Sequence, residues 1–278
     1  MHAIEKKMQK SATSKIINPS LGIVILSCDK FMDLWDPVVN EFFYHWSDCP
    51  FPVYLISNEK KCEDPRVSMI NAGKDIDWST SVSKGLENFS HSHILFWMDD
   101  AFLSNKIDTK RIENIFQYHL ENNLNFMRLR SDPKPARKID NQYRELAKDG
   151  AYRVSIFATM WRLEVFQKIL VKGESAWEFE LNGTLRSRDF DKFYSVNSDC
   201  FPHIHGVERG VWIRNAATYL RKRGYEIDSS YRPVMSKLES FFRNYRVLKT
   251  WILHLLPEKL RAPALSNIQR IYKILRLR

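Results

Sequence analysis

The chain has 278 residues, of which 44% are hydrophobic and 13% aromatic, with eight tryptophans. That excludes a disordered chain and provides for one substantial core with an appendage. The formal charge is +10, and most of the excess sits in residues 237–278, which hold ten Lys/Arg and two acidic residues. The four cysteines (Cys28, Cys49, Cys62, Cys200) have neither zinc-site nor disulfide-framework spacing and read as reduced thiols.

Residues 1–19 read as a flexible leader ending at Pro19, polar and basic without the apolar stretch of a secretory signal. Gly22–Ser27 is an apolar, β-branched run that reads as a buried parallel strand, and a helix follows over 31–46. Further strands are expected at 52–57 and 67–71. A helix over 79–89 should begin near Ser79 or Thr80, and a strand over 93–98 closes on Asp99-Asp100. A helix over 108–123 takes Asp108 as its N-cap. Residues 124–151, with Pro133 and Pro135, read as a loop-rich insertion carrying a strand at 126–129. Helix is expected around 163–170, an extended Glu174–Glu180 segment, a turn at Asn182-Gly183, a strand over 189–196 and a helix over 211–223.

Alternating strands and helices predict a mainly parallel, mixed α/β sheet with flanking helices, occupying residues 20–235. From 236 to 278, apolar and basic residues interleave at helical intervals, the pattern of a basic amphipathic tail that suits an anionic membrane surface. No apolar run reaches the roughly 18–20 residues of a membrane span. The expected location is therefore cytoplasmic, peripheral at the inner face of the cytoplasmic membrane. Nucleic acid is disfavoured as a partner because no recognition module is visible.

Sheets of this kind bind ligands beyond the carboxyl ends of their strands. Two loops lie there: Ser27-Cys28-Asp29-Lys30 and Asp99-Asp100. Adjacent carboxylates past an apolar strand suit a hard cation, Mn²⁺ or Mg²⁺, bridged to a substrate's phosphates. Such an ion neutralises charge on a departing diphosphate. Asp29 can accept hydrogen bonds from a base N–H or ribose hydroxyls, with Ser27 and Lys30 as companions. Asp77 and Ser79 are further candidates for the nucleotide pocket. In Trp177-Glu178-Phe179-Glu180, an extended backbone would turn both glutamates to one side, and displacement at an anomeric carbon needs a carboxylate base. Glu178 is placed slightly ahead of Glu180. In His203-Ile-His205, His205 is the candidate for completing a metal or diphosphate site, and Arg209 for gripping a diphosphate with its guanidinium fork.

The stretch from Gly22 to Leu103, ending in Phe96-Trp97-Met98-Asp99-Asp100-Ala101-Phe102, resembles the GT-A glycosyltransferases. Residues 152–161 and 174–180 resemble a group of bacterial transferases for surface polysaccharide such as lipopolysaccharide and capsule. The resemblance covers about residues 20–225. It implies a GT-A-like, Rossmann-like fold and a nucleotide-sugar donor with a divalent metal. It also implies transfer to a glycan or lipid-linked acceptor, with Asp99 toward the nucleotide and Asp100 toward the metal. The acidic pair departs from the spaced Asp-x-Asp of that family, which leaves open which carboxylate meets the metal. A visible base favours inversion. The alternatives are a metal-dependent phosphoesterase using Asp99, Asp100, His203 and His205, and a non-enzymatic module binding membrane or nucleic acid.

Overall fold

The computed structural model describes residues 20–132 and 136–245. The expected leader (1–19) and most of the basic tail (246–278) lie outside the described residues. The chain divides into two compact units, Met1–Ile204 and His205–Arg278.

The first unit follows the expected alternation at its start. β1 (Leu21–Leu26) leads through a short 3-10 turn into α1 (Trp35–His45), followed by β2 (Val53–Ser57), β3 (Ser68–Asn71), α2 (Trp78–Gly85) and β4 (His93–Met98). All six residues of β1 are buried, as a strand covered on both faces requires. Gly22 is needed there, because a Cβ would lie 2.7 Å from the Phe89 ring and 2.8 Å from that of His91. Next come β5 (Ala101–Leu103), α3 (Thr109–Glu121), β6 (Phe126–Arg128), β7 (Ala136–Lys138), β8 (Tyr143–Leu146), β9 (Thr159–Arg162), α4 (Leu163–Ile169), α5 (Ala176–Arg186) and β10 (Phe193–Val196).

Nine strands form one mixed sheet in the order β3-β2-β1-β4-β9-β6-β10-β8-β7. The β3-β2-β1-β4 half is parallel throughout. β9 then runs antiparallel between β4 and β6, with Thr159 in register with both Phe96 and Arg128. Two reversals restore direction, so β6 points the same way as β4, and β10 runs parallel to β6. The carboxyl ends of β1, β4, β6 and β10 therefore open onto one edge of the sheet.

The core under this sheet is aromatic: Phe96, Phe126, Trp161, Phe166, Phe179 and Phe193 are buried together. Trp161 satisfies its indole N–H on Thr159 Oγ1 at 3.1 Å. Truncating it to alanine would cost about 3–5 kcal/mol.

Three local expectations are corrected. Residues 174–180 are not extended: α5 starts at Ala176, capped by Ser175, and Phe179 faces the core from it. Asn182-Gly183 is not a turn but lies inside that helix, where Gly183 fits closely against Ile169 and Val154. The 124–151 segment is less loop-rich than its charge suggested, since β6, β7 and β8 all join the main sheet.

A short strand β11 (His203–His205) crosses the boundary into the second unit. That unit contains a hairpin of β12 (Val207–Glu208) and β13 (Val211–Trp212), then α6 (Arg214–Lys222). The hairpin turn is Arg209-Gly210, both at positive φ (53° and 79°), the backbone that two-residue hairpin loops require. Ser236 and Glu239 cap each other's backbone N–H groups at the head of a helix described over 237–245. Arg243 returns to Glu208 at 2.6 Å. No described helix is long and apolar enough to cross a membrane.

Candidate active site

At the carboxyl edge of the sheet, β1 and β4 deliver their loops side by side. Asp99 is 6% exposed. Ser27 Oγ donates to Asp99 Oδ2 at 2.5 Å and accepts the Trp35 indole N–H at 2.7 Å. This relay from α1 fixes the carboxylate in one orientation. Asp99 and Asp100 then border a cleft of about 260 Å³. Its lining is mostly apolar: Phe31, Ile56, Trp78 and Val82 share it with the acidic pair, Ser27 and half-buried Cys28. Burial pushes the Cys28 thiol above its ordinary value. Lys30 reaches across the rim to Asp75 at 2.9 Å.

Other predicted residues hold this cleft together. Asp29 accepts from Ser57 Oγ (2.6 Å) and from the backbone N–H groups of Asn58, Glu59 and Lys60 (3.1–3.2 Å). Burial raises its pKa, but these donors outweigh it and hold the carboxyl below its ordinary value. The carboxylate thus pins the loop after β2 to the loop after β1. α2 starts at Trp78, next to the expected Ser79, and Asp77 caps it. Asp77 takes Thr80 N–H, both neighbouring hydroxyls, and Gly173 N–H from the loop before α5. Here too the donors override burial and lower the pKa. Ser79 Oγ accepts from Glu174 N at 2.9 Å, and Ser79 N donates to Glu174 O at 3.1 Å. Asp77 and Ser79 therefore staple α2 to α5, while their neighbours Asp75, Trp78 and Ser81 line the cleft.

The two glutamates of α5 diverge, because residues two apart on a helix point about 200° apart. Glu178 is exposed and completes a capping box with Ser175. Those bonds lower its pKa. Glu180 turns inward and accepts from Ile156 N at 3.0 Å. Burial raises its carboxyl above the ordinary value, against the pull of that N–H and of the Arg130 and Arg128 charges. Those arginines follow from β6, whose end lies one strand over from β9. The charges of Arg128 and Arg130 thus act on Glu180, and the two arginines are cations the sequence reading passed over. A charged Arg128 inside an apolar strand was the available signal.

His203 sits against Phe157 (ring centroids 4.6 Å apart) and Trp97 (6.2 Å), with its Nδ1 2.8 Å from Phe201 O. Burial lowers its pKa. Trp97 in turn packs on Phe157 at 5.0 Å and anchors its N–H on Ala101 O. His203 is thus built into the first unit beside the acidic turn. His205, exposed, and Arg209, at the hairpin turn, belong to the second unit. No group of three or more His, Cys, Asp or Glu suited to a metal ion occurs among the described residues. Two adjacent carboxylates are still the donor set of a site that a Mg²⁺- or Mn²⁺-bound diphosphate completes with its own oxygens.

No protein-family model and no curated sequence matches the chain. Similarity to solved structures exists. With S. aureus TarS 1-349 in complex with UDP-GlcNAc, the TM-score is 0.48 at 11% identity over 91% of this chain and 72% of that one. With the UTP-bound UGPase from Acinetobacter baumannii it is 0.48 at 7% identity over 83% and 99%. A further S. aureus TarS 1-349 structure gives 0.45 at 10% identity over 66% of this chain and 59% of that one, so the match spans about three fifths of the 1-349 chain.

Proposed function

We propose that the chain is a metal-dependent glycosyltransferase. It moves a sugar from a nucleotide-sugar donor to a glycan or lipid-linked acceptor, with inversion, in the synthesis of a surface polysaccharide. The observation carrying this reading is the buried Asp99, oriented by Ser27 at 2.5 Å, at the mouth of an apolar cleft beyond the carboxyl ends of parallel strands. Phe31 and Trp78 offer a nucleobase flat apolar surface, and Asp99 with Asp100 faces the diphosphate end. Mn²⁺ or Mg²⁺ held by this pair would neutralise the leaving diphosphate.

Glu180 fits the base better than Glu178. Its raised pKa brings it nearer the range useful for taking a hydroxyl proton at neutral pH, while Glu178 is engaged at the helix cap. Ile156 N–H and the turn of α5 orient Glu180, so the acceptor hydroxyl would approach from the β6 side. The basic stretch 236–278 would hold the protein at an anionic membrane surface where a lipid-linked acceptor is presented.

The test is a panel of nucleotide sugars incubated with the full chain, with Mn²⁺ or with EDTA, reading free nucleotide and thermal stabilisation. Mn²⁺-dependent release from one donor supports the reading. Hydrolysis of simple phosphate esters with no nucleotide-sugar turnover overturns it in favour of a phosphoesterase.

A further inference from the structure

Arg153, Arg128 and Arg130, buried or half-buried, lie on the β6 side of the first unit, and their surroundings differ. Arg153 is 2% exposed and donates to Ser187 and to Phe190 O, with its guanidinium 4.1 Å over the Phe193 ring. Arg128, also 2% exposed, donates to Tyr152 O at 2.5 Å. Arg130, half-buried at the end of the same strand, makes no hydrogen bond or ion pair among the described residues. Its guanidinium stands 5.1 Å over the Phe157 ring.

Among the described residues, no carboxylate forms an ion pair with Arg130. Burial and the Arg130 charge together lower Arg128 to about 10. Nearby, Glu180 is itself pushed toward its neutral form, Asp132 is exposed, and Asp199 is held by Ser131 N–H and Oγ. Two guanidiniums held close together and partly out of water are costly unless an anion joins them. The Phe157 face fixes Arg130 in advance, which lowers the ordering cost of binding.

Position identifies the anion's place. Arg128 and Phe96 both register with Thr159, so the ends of β6 and β4 are separated by two strand spacings, about 10 Å. That distance sets the arginines apart from the Asp99-Asp100 station, while their charges act on the Glu180 carboxyl. We infer that Arg130, backed by Arg128, is an acceptor subsite that grips an anionic oxygen group, a phosphate or a carboxylate, on the molecule whose hydroxyl faces Glu180. The inference rests on the transferase reading for the word acceptor, while the anion site itself stands on the arginines alone.

Calorimetric titration of the full chain in EDTA tests it, with sn-glycerol 3-phosphate, glucuronate and neutral glycerol as probes. At least one anionic probe should bind the unaltered protein and glycerol should not; which anion binds identifies the source of the charge. Arg130→Gln should weaken that binding at least about tenfold, and Arg130→Lys, which keeps the charge but not the fork, by less. The melting temperature of each variant checks folding. Failure of both anions to bind, equal binding of glycerol, or an Arg130→Gln affinity matching the unaltered protein overturns the inference. A separate titration with UDP and Mn²⁺ separates the two ideas. If UDP does not bind but the Arg130-dependent anion does, the transferase reading falls and the anion site remains.

Discussion

The two halves of the nine-stranded sheet handle their charges in opposite ways. In the parallel half, β3-β2-β1-β4, the carboxylates are satisfied locally: Asp29 takes three backbone N–H groups and Asp77 two, and each also accepts from neighbouring hydroxyls. Both pKa values fall below the ordinary range. In the mixed half, from β9 outward, Glu180 is raised and Arg128 lowered, each held in its less comfortable state by burial. Asp29 and Asp77 frame the apolar cleft in the first half, while Glu180 and Arg128 in the second are groups whose burial opposes their charge. Groups whose burial opposes their charge are where chemistry or ligand binding is expected.

The largest effect should come from the one frame carboxylate proposed to face substrate. Asp99→Asn keeps an oxygen for the Ser27 hydroxyl but removes the charge. Transfer from the nucleotide sugar should fall at least about a hundredfold with little change in melting temperature. Unchanged turnover would place the active centre elsewhere. Next is Glu180→Gln. Loss of the base should lower kcat about 10²- to 10⁴-fold while UDP binding holds. Because burial raises this carboxyl, the acid limb of the kcat profile should lie above the pH of an ordinary glutamate. An acid limb at the ordinary glutamate position would exclude Glu180 as the group reported.

The contrast between the halves also marks what was legible in the sequence. The parallel half was readable because runs such as Gly22–Ser27 and His93–Met98 are apolar throughout, and the carboxylates at their ends stand out. The mixed half was not. β9 (Thr159–Arg162) is four residues long and is defined by pairing with β4 and β6, which are far from it in sequence. Glu178-Phe179-Glu180 alternates as a strand would, yet it folds as helix because Ser175 caps it and Phe179 finds an aromatic core at Trp78, Trp161 and Phe166. A period of two over four residues cannot be told from one turn of helix without that tertiary contact. Asp29 and Asp77 were legible as important carboxylates but not as staples, since their partners come from other loops.

A third effect sits at the opposite, amino end of β4, where His93 and His119 pack edge to face at 5.1 Å, fully or nearly buried, with Phe116 and Arg162 around them. Burial pushes His93 down to about 4 and His119 well below its ordinary value. The unfolded chain therefore binds more protons than the folded one between pH about 6.5 and about 4, so stability must fall as pH drops through that window. Thermal melts from pH 7 to 4.5 should show the decline, and His119→Leu should flatten it. A parallel decline in that variant would remove His119 as its source.

The smallest expected effect tests the distinction between satisfied and burial-opposed carboxylates most directly. Glu178 is the same residue type as Glu180 and two residues away, but its carboxylate accepts from Ser175 N–H and Oγ at 2.8 Å. Its pKa is lowered by those bonds, so at neutral pH it is a satisfied cap. Glu178→Ala should lower the melting temperature by no more than about 4 °C and leave kcat where it was. Glu178→Gln, which retains an acceptor for the cap, should change even less. If Glu178→Gln instead costs as much kcat as Glu180→Gln, a capped carboxylate is a base after all. Position on α5, rather than burial, would then decide which glutamate does the chemistry.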